Sequence, residues 1–222
     1  MTNNKDIFLL AIRGALKPSL VEDARTLHNN TAGHPEGVAA ARALGDLSHN
    51  VFVPLEDAPT AASELLILDT WNSLEGLGRF FGDSKVQEGG GMMFKSRAPA
   101  VFTTADTYSF SLPSPRTRPD RFVGMIRGTV RSREEALATF DRATRANVNK
   151  SRLHGHVSHH MFWRIAQPGE PETLDLLGVD IWHDAEGMGA WYAEGPKDIY
   201  EVFAGEPAAS VWKQPAGSWV EW

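Results

Sequence analysis

Two histidines hold matching places in this chain. His49 lies in the run from Leu47 to Leu55, and His159 in the run from Val157 to Ile165. Both runs read as strands, in which alternate side chains share a face. His49 then sits with Leu47, Val51, Val53 and Leu55, and His159 with Val157, Met161, Trp163 and Ile165. An imidazole alone among apolar neighbours is desolvated and stays neutral near pH 7, so it can accept a phenolic proton. The competing reading is a buried histidine whose ring nitrogens are satisfied and which does no chemistry.

The opposite face of the second run carries His154, His156, Ser158, His160, Phe162 and Arg164, and that of the first carries Asp46, Ser48 and Asn50. His160, Phe162 and Asn50 are the candidates there for substrate contact. His154 and His156 stand roughly 7 Å apart at Cα on a strand. A divalent ion wants a third ligand, and no carboxylate is near in sequence, so no metal and no cofactor is expected. Arg13 and Arg127 each precede a glycine at the end of an apolar run. A guanidinium there can hold a phenolate or other anion, or pair with a surface carboxylate.

The elements that position these residues occur twice. Ile7–Gly14 is echoed by Arg121–Gly128, Ser48–Phe52 by Ser158–Phe162, and Asp69-Thr70-Trp71 by Asp180-Ile181-Trp182. Glu75–Gly78 is echoed by Glu186–Gly189, and Pro99–Phe102 by Ala209–Trp212. Five blocks in one order are the mark of a duplicated unit. Each copy reads β-α-β-β-α-β, the ferredoxin-like α+β pattern. Ser19-x-x-Glu22 and Ser132-x-x-Glu135 read as capping boxes opening the first helix of each copy. Gly76, Gly78, Gly187 and Gly189 fall inside the second helices, where each costs on the order of 1 kcal/mol relative to Ala. Close backbone approach would explain them. Gly89-Gly90-Gly91 lacks the Lys-Ser/Thr of a phosphate loop and reads as a flexible turn. The copies are residues 1–112 and 121–222, joined by a proline-rich linker at 113–120. A four-stranded sheet with helices on one face leaves the other bare. Two such sheets in one chain are expected to cover each other as an intramolecular pseudo-dimeric α/β barrel. Association of whole chains into a homodimer stays open.

The chain has 222 residues, no cysteine and a formal net charge of −6. That balance argues against nucleic-acid partners, which need clustered Lys and Arg. No apolar run is long enough to cross a bilayer. The polar start, residues 1–6, shows no secretory pattern, so a cytoplasmic location is expected.

The stretch Leu66–Phe81, a strand ending in Trp71 followed by a short turn and an aromatic helix, resembles the dimeric α/β-barrel superfamily, nearest to antibiotic-biosynthesis and haem-degrading monooxygenases. Val179–Glu186, with Trp182, is similar. The resemblance implies a tandem fusion of two units that usually pair as separate chains. It implies a pocket lined by Trp71 or Trp182 and a small aromatic or polyketide-like ligand. The haem branch has a histidine at the end of the second helix, where this chain has Glu88–Gly91 and Ile199–Val202. The expected activity is therefore a cofactor-independent monooxygenase, with His159 or His49 as base and Arg127 or Arg13 holding the anion. The alternatives are a lyase or isomerase working by proton transfer, and a non-catalytic ligand-binding barrel.

Overall fold

A nearly continuous apolar run makes β1 (Phe8–Leu16), and it is buried on both faces, Leu10, Ile12 and Leu16 on one and Leu9 and Ala11 on the other. The computed structural model describes residues 7–61, 63–112 and 121–222; the proline-rich linker and residues 1–6 lie outside the described residues. The first unit continues with α1 (Val21–Asn30), α2 (Pro35–Ala43), β2 (Asp46–Pro54), β3 (Glu64–Trp71), α3 (Leu74–Gly82), α4 (Ser84–Met93) and β4 (Phe94–Thr104). Its strands run β4-β1-β3-β2, with β1 and β2 antiparallel to β3. The second unit holds β5 (Phe110–Ser111), β6 (Phe122–Thr129), α5 (Arg133–Leu153), β7 (His156–Arg164), β8 (Asp175–Trp182), α6 (Ala185–Glu194), a 3-10 turn (Asp198–Val202) and β9 (Ala208–Lys213). Its order is β9-β6-β8-β7-β5. Each unit is a ferredoxin-like α+β fold. No described helix is long and apolar enough to cross a membrane.

The two compact units do not follow the boundaries read from the sequence. One comprises Met1–Phe102 with Pro215–Trp222, the other Thr103–Gln214. The tail after each copy is the reason. Residues 103–112 hydrogen-bond to β7: Ala105 N–H donates to Met161 and Leu112 N–H to Val157, and Phe110 opposes His159. Residues 215–222 belong to the first unit. There Trp222 exchanges both backbone bonds with His49, at 2.8 and 3.2 Å.

Local capping differs between the units. Ser132 caps α5 by accepting from Glu135 N–H at 3.3 Å. Ser19 does not cap α1: the N-cap is Leu20, which offers no side-chain acceptor. The first helix of unit 1 is also broken in two, because Pro35 starts a new helix at its first position. Ser73 and Asp184 cap α3 and α6 by accepting from Gly76 and Gly187 N–H. Gly89–Gly91 are helical, inside α4, and not a turn.

The helix glycines divide into two kinds. A Cβ at Gly76 would collide with the Leu44 carbonyl, and one at Gly187 with the His154 carbonyl, both backbone atoms. Gly78 and Gly189 have nothing within 4 Å of that position. Close approach thus explains one glycine of each pair and not the other. We expect Gly78→Ala and Gly189→Ala to stabilise the chain by about 0.5–1 kcal/mol. Gly187→Ala should destabilise it by more than about 1 kcal/mol through forced backbone displacement. Urea unfolding of the single variants checks both signs; equal effects at Gly187 and Gly189 would refute the distinction.

Candidate functional site

The two histidines are not alone on their faces. In unit 2 the β7–β8 register places His159 directly opposite Asp180. The same register slips between His156 and Ser158. A bulge re-aims side chains at such a slip. His156 and His159, three residues apart, consequently reach the same carboxylate, which simple alternation forbids. His159 Nδ1 lies 2.7 Å and His156 Nε2 3.2 Å from Asp180 Oδ1. Tyr192 from α6 donates its hydroxyl to Asp180 Oδ2 at 3.0 Å.

Helix α5 supplies the outer contacts. Its buried face carries Ala136, Phe140 and Ala143, as the periodicity predicts. The next polar positions fall on the histidines: Thr144 Oγ1 is 3.1 Å from His159 Nε2, and Ser151 Oγ is 3.0 Å from His156 Nδ1. The His156 ring stacks on Trp182, with centroids 4.1 Å apart. Burial alone would raise the Asp180 carboxyl. The neighbouring His159 charge and hydrogen bonds from both imidazoles outweigh it and hold the carboxyl well below the usual range. Burial, then the Asp180 charge, push the Tyr192 phenol well above its ordinary value, so it remains a donor.

These groups form the polar end of a cavity of about 200 Å³ within unit 2. Thr144, His159, Asp180 and Tyr192 line it beside an apolar wall that includes Ile126, Phe140, Met161 and Trp191. In its neutral form, with Nδ1–H given to Asp180, His159 presents Nε2 as an acceptor to the Thr144 hydroxyl. A ligand hydroxyl that displaced Thr144 would face a base.

Unit 1 has the same His–Asp pair, with a second imidazole where unit 2 has Thr144. His49 opposes Asp69 in register, and its Nδ1 lies 2.8 Å from Asp69 Oδ1. Its Nε2 is 2.9 Å from Nε2 of His28, a buried residue of α1. Asn29 Oδ1 accepts from Val220 N–H at 3.0 Å, which orients the amide. His28 Nδ1, 3.0 Å from that oxygen, must donate to it. His28 Nε2 is then an acceptor and His49 Nε2 a donor, so His49 carries both protons. The shifts agree. Burial and the His49 charge lower His28 to about 4. Burial opposes charge on His49, but Asp69, by charge and hydrogen bond, raises it above its ordinary value. Trp222 stacks on the His49 ring at 4.6 Å and donates Nε1–H to Asp46. Burial, then the Asp69 charge, raise Asp46 to about 7.

The other sequence candidates lie elsewhere. Trp71 and Trp182 are fully buried and are not among the cavity's lining residues, because each packs under its own following helix. Trp71 contacts Phe80 and Phe81, while Trp182 donates Nε1–H to Tyr192 at 3.2 Å. Arg13 and Arg127 do not sit at a strand corner, since β1 and β6 run on to Leu16 and Thr129. Arg13 pairs with Glu64 and Arg127 with Asp175, each at 2.6 Å on the adjacent strand. His160 Nε2 lies 2.8 Å from Ser111 Oγ, with Phe162 beside it, and Asn50 donates to the Leu68 carbonyl at 3.4 Å. None of these three lines the cavity. His154 caps α5 near Trp191 and does not join His156. Sequence reasoning missed Asp180, Asp69, Tyr192, Thr144 and His28. The signal for the two aspartates was present, since both stand in the repeated Asp-x-Trp block one strand from a repeated histidine.

No family profile matches the chain, and no curated protein matches it. Solved structures do. An anthrone oxidase-like protein is 14% identical, with a TM-score of 0.65 over 96% of this chain and 93% of that one. A monooxygenase-like protein from Listeria innocua is 13% identical, with a TM-score of 0.55 over 96% of each chain. A ferredoxin-fold protein related to antibiotic biosynthesis monooxygenases, from Listeria monocytogenes, is 12% identical, with a TM-score of 0.53 over 96% of each. At these identities the likeness is one of fold, and it extends over nearly the whole chain.

The Asp46 shift has a measurable sign. Its carboxyl holds a proton up to about 7 in the folded chain, but only to about 3.8 when unfolded. The stability this contributes is complete below 3.8 and is lost as pH rises through about 7. Relative to Asp46→Asn, the native chain should therefore lose stability across that window, with the difference levelling off above it. Urea midpoints of both proteins at steps of pH test this. A difference that does not change with pH would refute it.

Proposed function

We propose that the chain is a monooxygenase-like enzyme that needs no cofactor, with its working site in unit 2. The observation that carries the reading is the chain Asp180–His159–Thr144 at the polar end of an apolar cavity, with distances of 2.7 and 3.1 Å. His159 Nε2 takes a proton from a hydroxyl-bearing aromatic ring. Asp180, ionised and fixed by Tyr192, stabilises the imidazolium so formed. The deprotonated ring supplies the electrons to dioxygen. One oxygen atom enters at a ring carbon, whose C–H becomes C=O while the phenolate carbon becomes a second C=O, and the other oxygen leaves as water, made from that carbon's hydrogen and the proton held on His159. The fold relatives described as monooxygenase-like and anthrone oxidase-like support the same class.

Size narrows the ligand. Drug-sized sites run to roughly 300–1,000 Å³. A cavity of about 200 Å³ suits one or two fused rings better than a larger polyketide. Unit 1 acts as scaffold in this reading, because both ring nitrogens of His49 are committed. The two units are proposed to pair as an intramolecular pseudo-dimeric barrel in a soluble, cytoplasmic protein. An experimental structure in which the halves do not meet through their sheets would overturn that part.

Dioxygen uptake with phenol, naphthol and anthrone as probes tests the activity. Uptake should be fastest with the smaller rings and should fall by roughly 10²–10⁴ in His159→Asn, the usual worth of a general base. His49→Asn should lower the melting temperature while leaving per-molecule turnover of the folded fraction near native. No uptake with any probe, or a His159→Asn variant as active as the native protein, would sink the proposal.

A further inference from the structure

Three side chains of unit 2 bring potential metal-ligand atoms together. His156, His159 and Asp180 each turn one donor atom inward, and these atoms all lie within 4.8 Å of one another. Among the described residues this is the one such group. We propose that it is a binding site for a divalent first-row transition ion, held by His156 Nε2, His159 Nδ1 and an oxygen of Asp180.

Donor spacing supports this. Ligands about 2.0–2.2 Å from a tetrahedral ion stand roughly 3.3–3.5 Å apart. The two nitrogens are already 2.7 and 3.2 Å from Asp180 Oδ1, so small side-chain rotations open the required space. The outer contacts support it independently. Ligating imidazoles and carboxylates are normally held by a partner on their other polar atom. Here every ligand has one: Ser151 at His156 Nδ1, Thr144 at His159 Nε2, and Tyr192 at Asp180 Oδ2. The cavity leaves the remaining coordination positions to water or ligand. Two imidazoles and one carboxylate select zinc, cobalt, nickel or ferrous ions over magnesium and calcium, which want an all-oxygen shell. Unit 1 has Asp46 at the strand-start position of His156, and Trp222 bonds its carboxylate.

The ion and the base use opposite tautomers. An ion on His159 Nδ1 puts the ring proton on Nε2, where it donates to Thr144 and cannot accept from a ligand. The metal would thus occupy the site in competition with proton transfer. This last consequence rests on the function proposed above; the binding itself does not.

Cobalt(II) titration of chelator-treated full-length protein tests the site, with visible absorption and melting temperature as readouts. We expect saturable visible bands at one ion per chain and a raised melting temperature. His156→Ala should weaken binding by more than about 100-fold, and Ser151→Ala by roughly 10- to 100-fold. His154→Ala and His160→Ala should bind cobalt as the native protein does. Absence of saturable bands, equal binding by His156→Ala, or loss of binding in His154→Ala would each overturn the proposal. The outcomes separate cleanly from those of the activity test. Cobalt binding without dioxygen uptake rejects only the function, and uptake without cobalt binding rejects only the metal site.

Discussion

A half-buried carboxylate facing the neighbouring strand needs donors, and most of unit 2 near Asp180 follows from that need. An unpaired ionised group in an apolar interior is untenable, and even a neutral polar group left unsatisfied costs about 1–3 kcal/mol. Asp180 receives His159 from across the ladder, His156 from a bulge and Tyr192 from the next helix. Each donor imposes a further demand. The hydroxyl of Tyr192 occupies the space that a Cβ at Gly124 would fill, so β6 must carry glycine there. The two imidazoles require α5 to present Thr144 and Ser151, seven residues apart, which is two helical turns on one face.

Unit 1 shows what happens when one demand is dropped. Leu10 takes the place of Gly124 and Phe81 that of Tyr192, so Asp69 receives no phenol there. The indole of Trp71 loses the same partner, and its buried Nε1 finds no acceptor. His28 fills the helix-side position, so His49 meets a second imidazole where His159 meets the Thr144 hydroxyl, and it keeps its ion pair with Asp69. The same strand pair therefore meets different partners in the two units.

The succession of strands along the chain was legible because it rests on periodicity and repetition, but the helix count was not: two helices were read in each copy, and unit 1 has four, because Pro35 opens a second helix after α1 and Asp83 caps another after α3. The third strand was read as Leu176–Trp182 and runs Asp175–Trp182; the second was read as Val157–Ile165 and runs His156–Arg164. The placement of His49 and His159 under helices was legible for the same reason. The site around them was not. A bulge leaves no mark in an alternating pattern, so His156 was assigned to the wrong face and paired with His154. Fractional burial of a tryptophan depends on which side of the sheet its helix closes over, and Trp71 and Trp182 were placed in a wall they do not form. Asp180 could have been found by writing the β7–β8 hairpin in register. That step uses residue pairing, which composition and spacing do not reveal.

The exchange of tails also bears on the order in which the chain can fold during synthesis. Thr103–Gln214 is an uninterrupted stretch and has all its strands once Gln214 is available. The first unit, although its larger part is made earlier, lacks residues 215–222 until the second unit has been made. Until then His28, His49 and Asp46 have no indole over them, and a buried charged pair is left open to water. The second unit to be translated is thus the first that can close, and the growing chain must carry an unfinished neighbour while it does so.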